Sequence, residues 1–157
     1  SKDAKGVEYL IQAMGDPDER VQVKAIEMLG EMRATDATPV LVQHLFIRQT
    51  RPEIRARILA ALGKIGDASA ARPIVEFLQR DLDKSTRGTA IYALGDIGAA
   101  EAAPELKKIA ETDSDPTLRR LAREALGKVQ YHQEAQEKEV KAPLDTFLPK
   151  PPPGPPQ

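Results

Sequence analysis

Four polar residues recur at one point in the internal rhythm of the chain: Gln22, Arg55, Arg87 and Arg119. A row of guanidinium groups is the arrangement that would hold a phosphate or an oxyanion, because each offers a fork of fixed donors. His44 and His132 are the other residues whose type suits acid–base or metal chemistry. Neither has a second His or a carboxylate at a recurring helical ligand spacing, so each reads as a surface or packing histidine. The chain has no cysteine, which excludes thiolate catalysis, disulfides and Cys-ligated zinc. A Gly-rich phosphate loop and a nucleophile elbow are also missing. The sequence therefore assigns no catalytic residue, no metal ligand and no cofactor, and the protein is expected not to be an enzyme.

The arginine row owes its regularity to the helices that carry it. Leu-Gly pairs at Leu29-Gly30, Leu62-Gly63, Leu94-Gly95 and Leu126-Gly127 stand 32 or 33 residues apart. Aligned on them, "VQVKAIEMLGEM", "IRARILAALGKI", "TRGTAIYALGDI" and "LRRLAREALGKV" are one amphipathic helix written four times, with an apolar stripe at helical spacing. A Gly inside such a helix costs about 1 kcal/mol against Ala, so its recurrence predicts close packing of neighbouring backbones. Shorter apolar segments lie between, three of them opened by Pro39, Pro73 and Pro104, where a fixed φ suits a first helical turn. Asp, Ser or Thr stands ahead of the longer helices as a cap. The unit is helix, tight turn, helix, short loop.

Composition agrees. A 41% hydrophobic share with 30% charged residues belongs to a folded chain, and 4% aromatics with no Trp favours close helix packing, so the class is all-α. A net charge of -1 leaves no long-range field toward nucleic acid or an anionic surface. No apolar run approaches the roughly 20 residues of a membrane span, and no signal peptide is recognisable. The chain opens Ser1-Lys2-Asp3 without Met, as a processed or fragmentary chain would. The compartment stays open, with a bacterial cytoplasm slightly ahead of a periplasm.

"DPTLRRLAREALGKV" and "RPEIRARILAALGKI" resemble the short bacterial HEAT-like repeats named after phycobilisome lyases, and the resemblance runs from Gly6 to about Gln130. The ankyrin T-P-L-H signature and the tetratricopeptide aromatic positions are missing. The resemblance implies a right-handed α-solenoid of about four hairpins, over residues 4–35, 36–68, 69–100 and 101–130, with second helices lining a concave surface. It also implies a protein-interaction or assembly subunit that works with another protein in a larger complex. The alternative it carries is a bilin lyase-like or other enzyme-accessory role, and a lesser one is nucleic-acid binding. The latter is unlikely, since "LRRLAREALGK" is one short basic cluster without interleaved aromatics.

Helical geometry sets the arginine column about 20° from the core Leu, on the inward side. An inward Arg needs a partner, and Asp18, Glu53, Asp83 and Asp115 are the expected ones, as a ladder between repeats. The outward positions change character along the array, from charges in repeat one to Ala60, Tyr92 and Leu121 further on. Arg57, Thr89, Tyr92, Asp96, Leu121 and Glu124 are the candidate protein-binding residues of that face.

After Gly127 the helical pattern runs on as an exposed extension and is expected to stop by Lys141, because Ala142 precedes Pro143. Residues 1–141 thus form the array with its long last helix, and residues 142–157 an extended Pro-rich tail or linker. Leu144, Phe147 and Leu148 form an apolar trio ahead of the prolines that would dock on a partner or fold back on the last repeat.

Overall fold

The computed structural model describes residues 2–157. Its helices are α1 (Lys2–Ala13), α2 (Glu19–Glu31), α3 (Thr38–Phe46), α4 (Pro52–Ile65), α5 (Ala71–Phe77), α6 (Lys84–Ile97), α7 (Ala103–Thr112) and α8 (Pro116–Phe147), with no strand among the described residues. Short 3-10 turns at Thr35–Ala37, Ala68–Ala70 and Ala100–Ala102 lead into α3, α5 and α7. The helices pair as α1 with α2, α3 with α4, α5 with α6 and α7 with α8, and the second helices stack in order, α2 on α4, α4 on α6 and α6 on α8. The result is an all-helical, solenoid-like array.

The starts and stops follow from side chains. Asp18, Asp83 and Asp115 precede α2, α6 and α8, and their carboxylates accept backbone N–H groups of Arg20, of Thr86, and of Thr117 and Leu118 respectively. Each thereby satisfies donors that the first helical turn leaves unpaired. α4 has no side-chain cap and opens on Pro52, which has no N–H to satisfy. α4 and α6 stop at Gly66 and Gly98, in the left-handed region at φ 72 and 71. Arg33 takes the same place after α2 at φ 51, which costs a side-chain-bearing residue about 1–2 kcal/mol. In the fourth repeat the equivalent residue is Gln130, and with no terminator there the helix continues.

It continues further than expected. α8 passes through Pro143 and ends at Phe147, where Leu148 N–H bonds to Leu144 O at 2.9 Å. Residues 134–147 are exposed throughout, so solvent satisfies the Glu139 carbonyl that Pro143 cannot serve. The helix boundary expected at Lys141 is therefore corrected to Phe147, and only residues 148–157 lack regular secondary structure. Leu144 and Phe147 are helical, and with Leu148 they stay exposed instead of folding back on the array.

The core runs the length of the stack. Leu29, Leu62 and Leu94 are fully buried, as are Leu41, Leu45, Ile74 and Leu106 from the first helices. The repeated glycines mark the closest approaches. A Cβ on Gly30 would stand 3.0 Å from Ala61 Cα, one on Gly63 3.4 Å from Asp96 Cβ, and one on Gly95 2.9 Å from Ala125 Cα, whereas Gly127 has nothing within 4 Å. The two ends of the stack differ. Ile26, Leu59 and Ile91 are buried in their repeats, but the equivalent residue of the fourth is the exposed Arg123, and Arg120 stands where the others have Val23, Ala56 and Gly88. At the other end Tyr9, Val21, Met28 and Met32 are exposed apolar residues.

The caps make stability acid-sensitive. The Arg20 side chain and N–H hold Asp18 below the usual carboxylate range, the Thr86 N–H does so for Asp83, and the Lys84 ammonium does so for Asp115. A depressed carboxylate contributes stability that is present above its unfolded value and lost as pH falls through its folded one. Thermal melts followed by circular dichroism should thus be flat between about pH 5 and 8 and shift downward below about pH 4. A melting temperature that stays constant down to pH 2 would contradict this reading of the caps.

Candidate binding site

The parallel faces of α6 and α8 leave a cleft between their N-terminal halves, ≈ 640 Å³ in volume. Gly88 opens it. Where the first two repeats carry Val23 and Ala56, the third has no side chain, and a Cβ there would meet Leu121 Cδ1 at 3.4 Å. Leu118 and Leu121 form the apolar part of the lining, and Ser85, Thr89, Tyr92, Thr117 and Lys84 complete it. The Thr89 hydroxyl donates to Ser85 O at 3.0 Å, so its proton is already engaged.

Charges at the two ends of the cleft are paired. Lys84 Nζ lies 2.9 Å from Asp115 Oδ2. Lys128 Nζ lies 4.1 Å from the centroid of the Tyr92 ring and 3.0 Å from Asp96 Oδ1. Burial works against the Lys128 charge, but the Asp96 carboxylate outweighs it and holds the ammonium above its ordinary pKa. Tyr92 is thereby fixed as a wall, 55% exposed, with its ring against a cation that is itself neutralised. An apolar floor with hydroxyl groups and neutralised ends suits an apolar side chain of a partner, and offers no activated nucleophile.

Of the residues expected on this face, Thr89, Tyr92 and Leu121 come together in the cleft. Asp96 and Glu124 border a neighbouring hollow with Tyr131 and His132, and Glu124 faces Arg120 at 3.9 Å. Arg57 lies apart, at the junction of the first two repeats, 3.1 Å from Glu27 Oε1. Leu144, Phe147 and Leu148 are remote, on the projecting end of α8 and just after it. Sequence reasoning missed Gly88 and Lys128. The signal for Gly88 was a side chain missing from an otherwise filled column; that for Lys128 was its spacing of one repeat, 32 residues, from Asp96.

The arginine column does not build a site, nor the expected carboxylate ladder. Arg55 donates to Leu45 O and Ile47 O at 3.2 and 2.9 Å, Arg87 to Leu78 O at 3.0 Å, and Arg119 to Asp113 O at 2.7 Å. Gln22 does the same to Asp16 O. Each long donor closes off carbonyls at or just past the C-terminus of the first helix in its own hairpin, where unpaired acceptors and the negative end of the helix dipole lie. One ion pair to a carboxylate remains, Arg87 with Asp113 at 3.1 Å, because Asp18, Asp83 and Asp115 are used as caps. Gln22 is thus a shorter version of the same device.

Stacked helical hairpins, held by intra-hairpin caps and bearing their cleft on the second helices, define the class of helical repeat proteins. A HEAT-repeat profile matches residues 1–45 and 45–127, and the chain belongs to the HEAT-repeat family. No curated protein matches it.

Proposed function

We propose that the chain is a non-catalytic interaction subunit that binds another protein through the α6–α8 cleft, on the concave side of a right-handed array. The observation that carries this reading is the apolar floor of Leu118 and Leu121 under Tyr92, opened by Gly88 on a face that is charged in the first repeat. HEAT repeats commonly mediate protein–protein interaction, which supports a partner of that kind. The Pro-rich residues 148–157 extend the reach of the array toward the same assembly.

Leu121→Glu is expected to keep the helical fold with a modestly lowered melt, because Leu121 also packs on the core, and to reduce the partner recovered by in-cell cross-linking at least about tenfold, since it puts a charge on the apolar floor. Lys24→Ala, on the first repeat, should recover as much as the natural chain. Equal recovery with Leu121→Glu would overturn the assignment of the cleft.

A further inference from the structure

The face of α2 that points away from the array is the one by which every other second helix meets its predecessor. Ala61, Ala93 and Ala125 lie against the preceding Gly30, Gly63 and Gly95, and Lys64, Asp96 and Lys128 lie over the same glycines. Leu118 and Leu121 reach the preceding Gly88, and Arg57 the preceding Glu27. The first-repeat counterparts of these columns are Met28, Glu31, Val21 and Lys24, so register directs all four to where a preceding repeat would stand. Tyr9 of α1 lines one groove of ≈ 470 Å³ with Val21, Lys24 and Met28, and Met32 is exposed beside it. Met28 breaks its column. Its long side chain occupies the place where a neighbour's glycine backbone would come, so a like repeat cannot seat there as the others do.

We propose that this face is covered by the same face of a second copy, with α2 antiparallel to the partner's α2. At about 100° per residue, Val21, Lys24, Glu31 and Met32 all lie within roughly 60° of Met28. Lys24 and Glu31 fall on one side of it, Val21 and Met32 on the other. A two-fold axis crossing the helices between Glu27 and Met28 brings like sides together. It sets Lys24 level with the partner's Glu31, twice by symmetry, and Met28 against the partner's Met28. Val21 comes within about 3 Å of the height of the partner's Met32. Among the described residues neither Lys24 nor Glu31 is in an ion pair, so the face is complementary to itself in charge as well as in apolar pattern. The face is two helices wide, of 12 and 13 residues, hence roughly 20 Å by 20 Å, and with its relief offers roughly 600 Å² per copy. Two copies together reach the ~1,200 Å² of specific complexes. Association closes at the pair, and the α6–α8 cleft, two repeats away, stays open.

Sedimentation equilibrium of the full chain between about 1 and 300 µM tests the pair. The average mass should rise from 17.2 kDa toward twice that value and no further. Met28→Glu should weaken association at least about tenfold, since it sets two carboxylates together at the axis. K24E and E31K should each weaken it at least about threefold, because each opposes like charges twice. An equimolar mixture of K24E and E31K should associate better than either alone, since the mixed pair restores opposite charges at both contacts. A natural chain that remains at 17.2 kDa throughout, a mass that grows beyond the pair, a Met28→Glu chain that associates normally, or a mixture no better than its components overturns the proposal.

Discussion

Phe77→Ala is expected to lower the stability of the array by about 3–5 kcal/mol, the range for emptying a well-packed aromatic site. Phe77 is the last residue of the seven-residue α5 and is 1% exposed. Its ring meets Phe46 of the preceding hairpin edge-on, centroids 5.8 Å apart at 83°. The Arg55 guanidinium lies 5.9 Å from its centroid, and that of Arg80 4.8 Å from the centroid of Phe46. Two aromatic rings and two cations thus couple the second and third repeats, and the chain has only three Phe in all, with no other ring at hand to refill the gap. In urea titrations followed by circular dichroism, the variant should lose its single transition and melt in two steps, because a solenoid holds together through nearest-neighbour interfaces. A loss under about 1 kcal/mol would show that the site collapses around the missing ring.

Gly95→Ala and Gly127→Ala should have effects of opposite sign. At Gly95 the new Cβ would stand 2.9 Å from Ala125 Cα, a backbone atom that can yield only if α6 and α8 move apart. Overpacking of this kind costs about 1–3 kcal/mol, more than the gain of about 1 kcal/mol in helix propensity. At Gly127 nothing lies within 4 Å, so the propensity gain is unopposed and the variant should be more stable by up to about 1 kcal/mol. Denaturation midpoints of the two proteins under the same conditions give the comparison directly. If Gly95→Ala is as stable as the natural chain, the close approach is not what fixes the glycine column.

The array was readable in the sequence because a solenoid repeats its constraints: every Leu-Gly pair, cap and apolar stripe confirmed the others. The partners of the arginine column were not, because position on a helix tells which way a side chain leaves the backbone but not whether carbonyls or carboxylates wait at its end. Asp18, Asp83 and Asp115 looked available and were already committed to backbone N–H groups. Pro143 misled in the other direction: its preference against a preceding helical residue is local, and the exposed rod around it loses little by ignoring it. At the candidate site, periodicity placed Thr89, Tyr92 and Leu121 on one face, and spacing alone was enough to do so. It did not reveal that the space between them exists because Gly88 contributes no side chain.

Arg120 and Arg123 at the far end of the stack also bear on how the molecule behaves in a crowd. An array with an apolar surface at each end is a tile that can be laid end to end without closure, and a contact that never closes grows into a filament. Tyr9, Val21, Met28 and Met32 are exposed apolar residues on the first-repeat side. The two guanidinium groups deny it the other, because a neighbour stacked there would have to strip water from Arg123 without offering a counter-charge. The fourth-repeat side of the stack is therefore a poor surface for another copy to stack on.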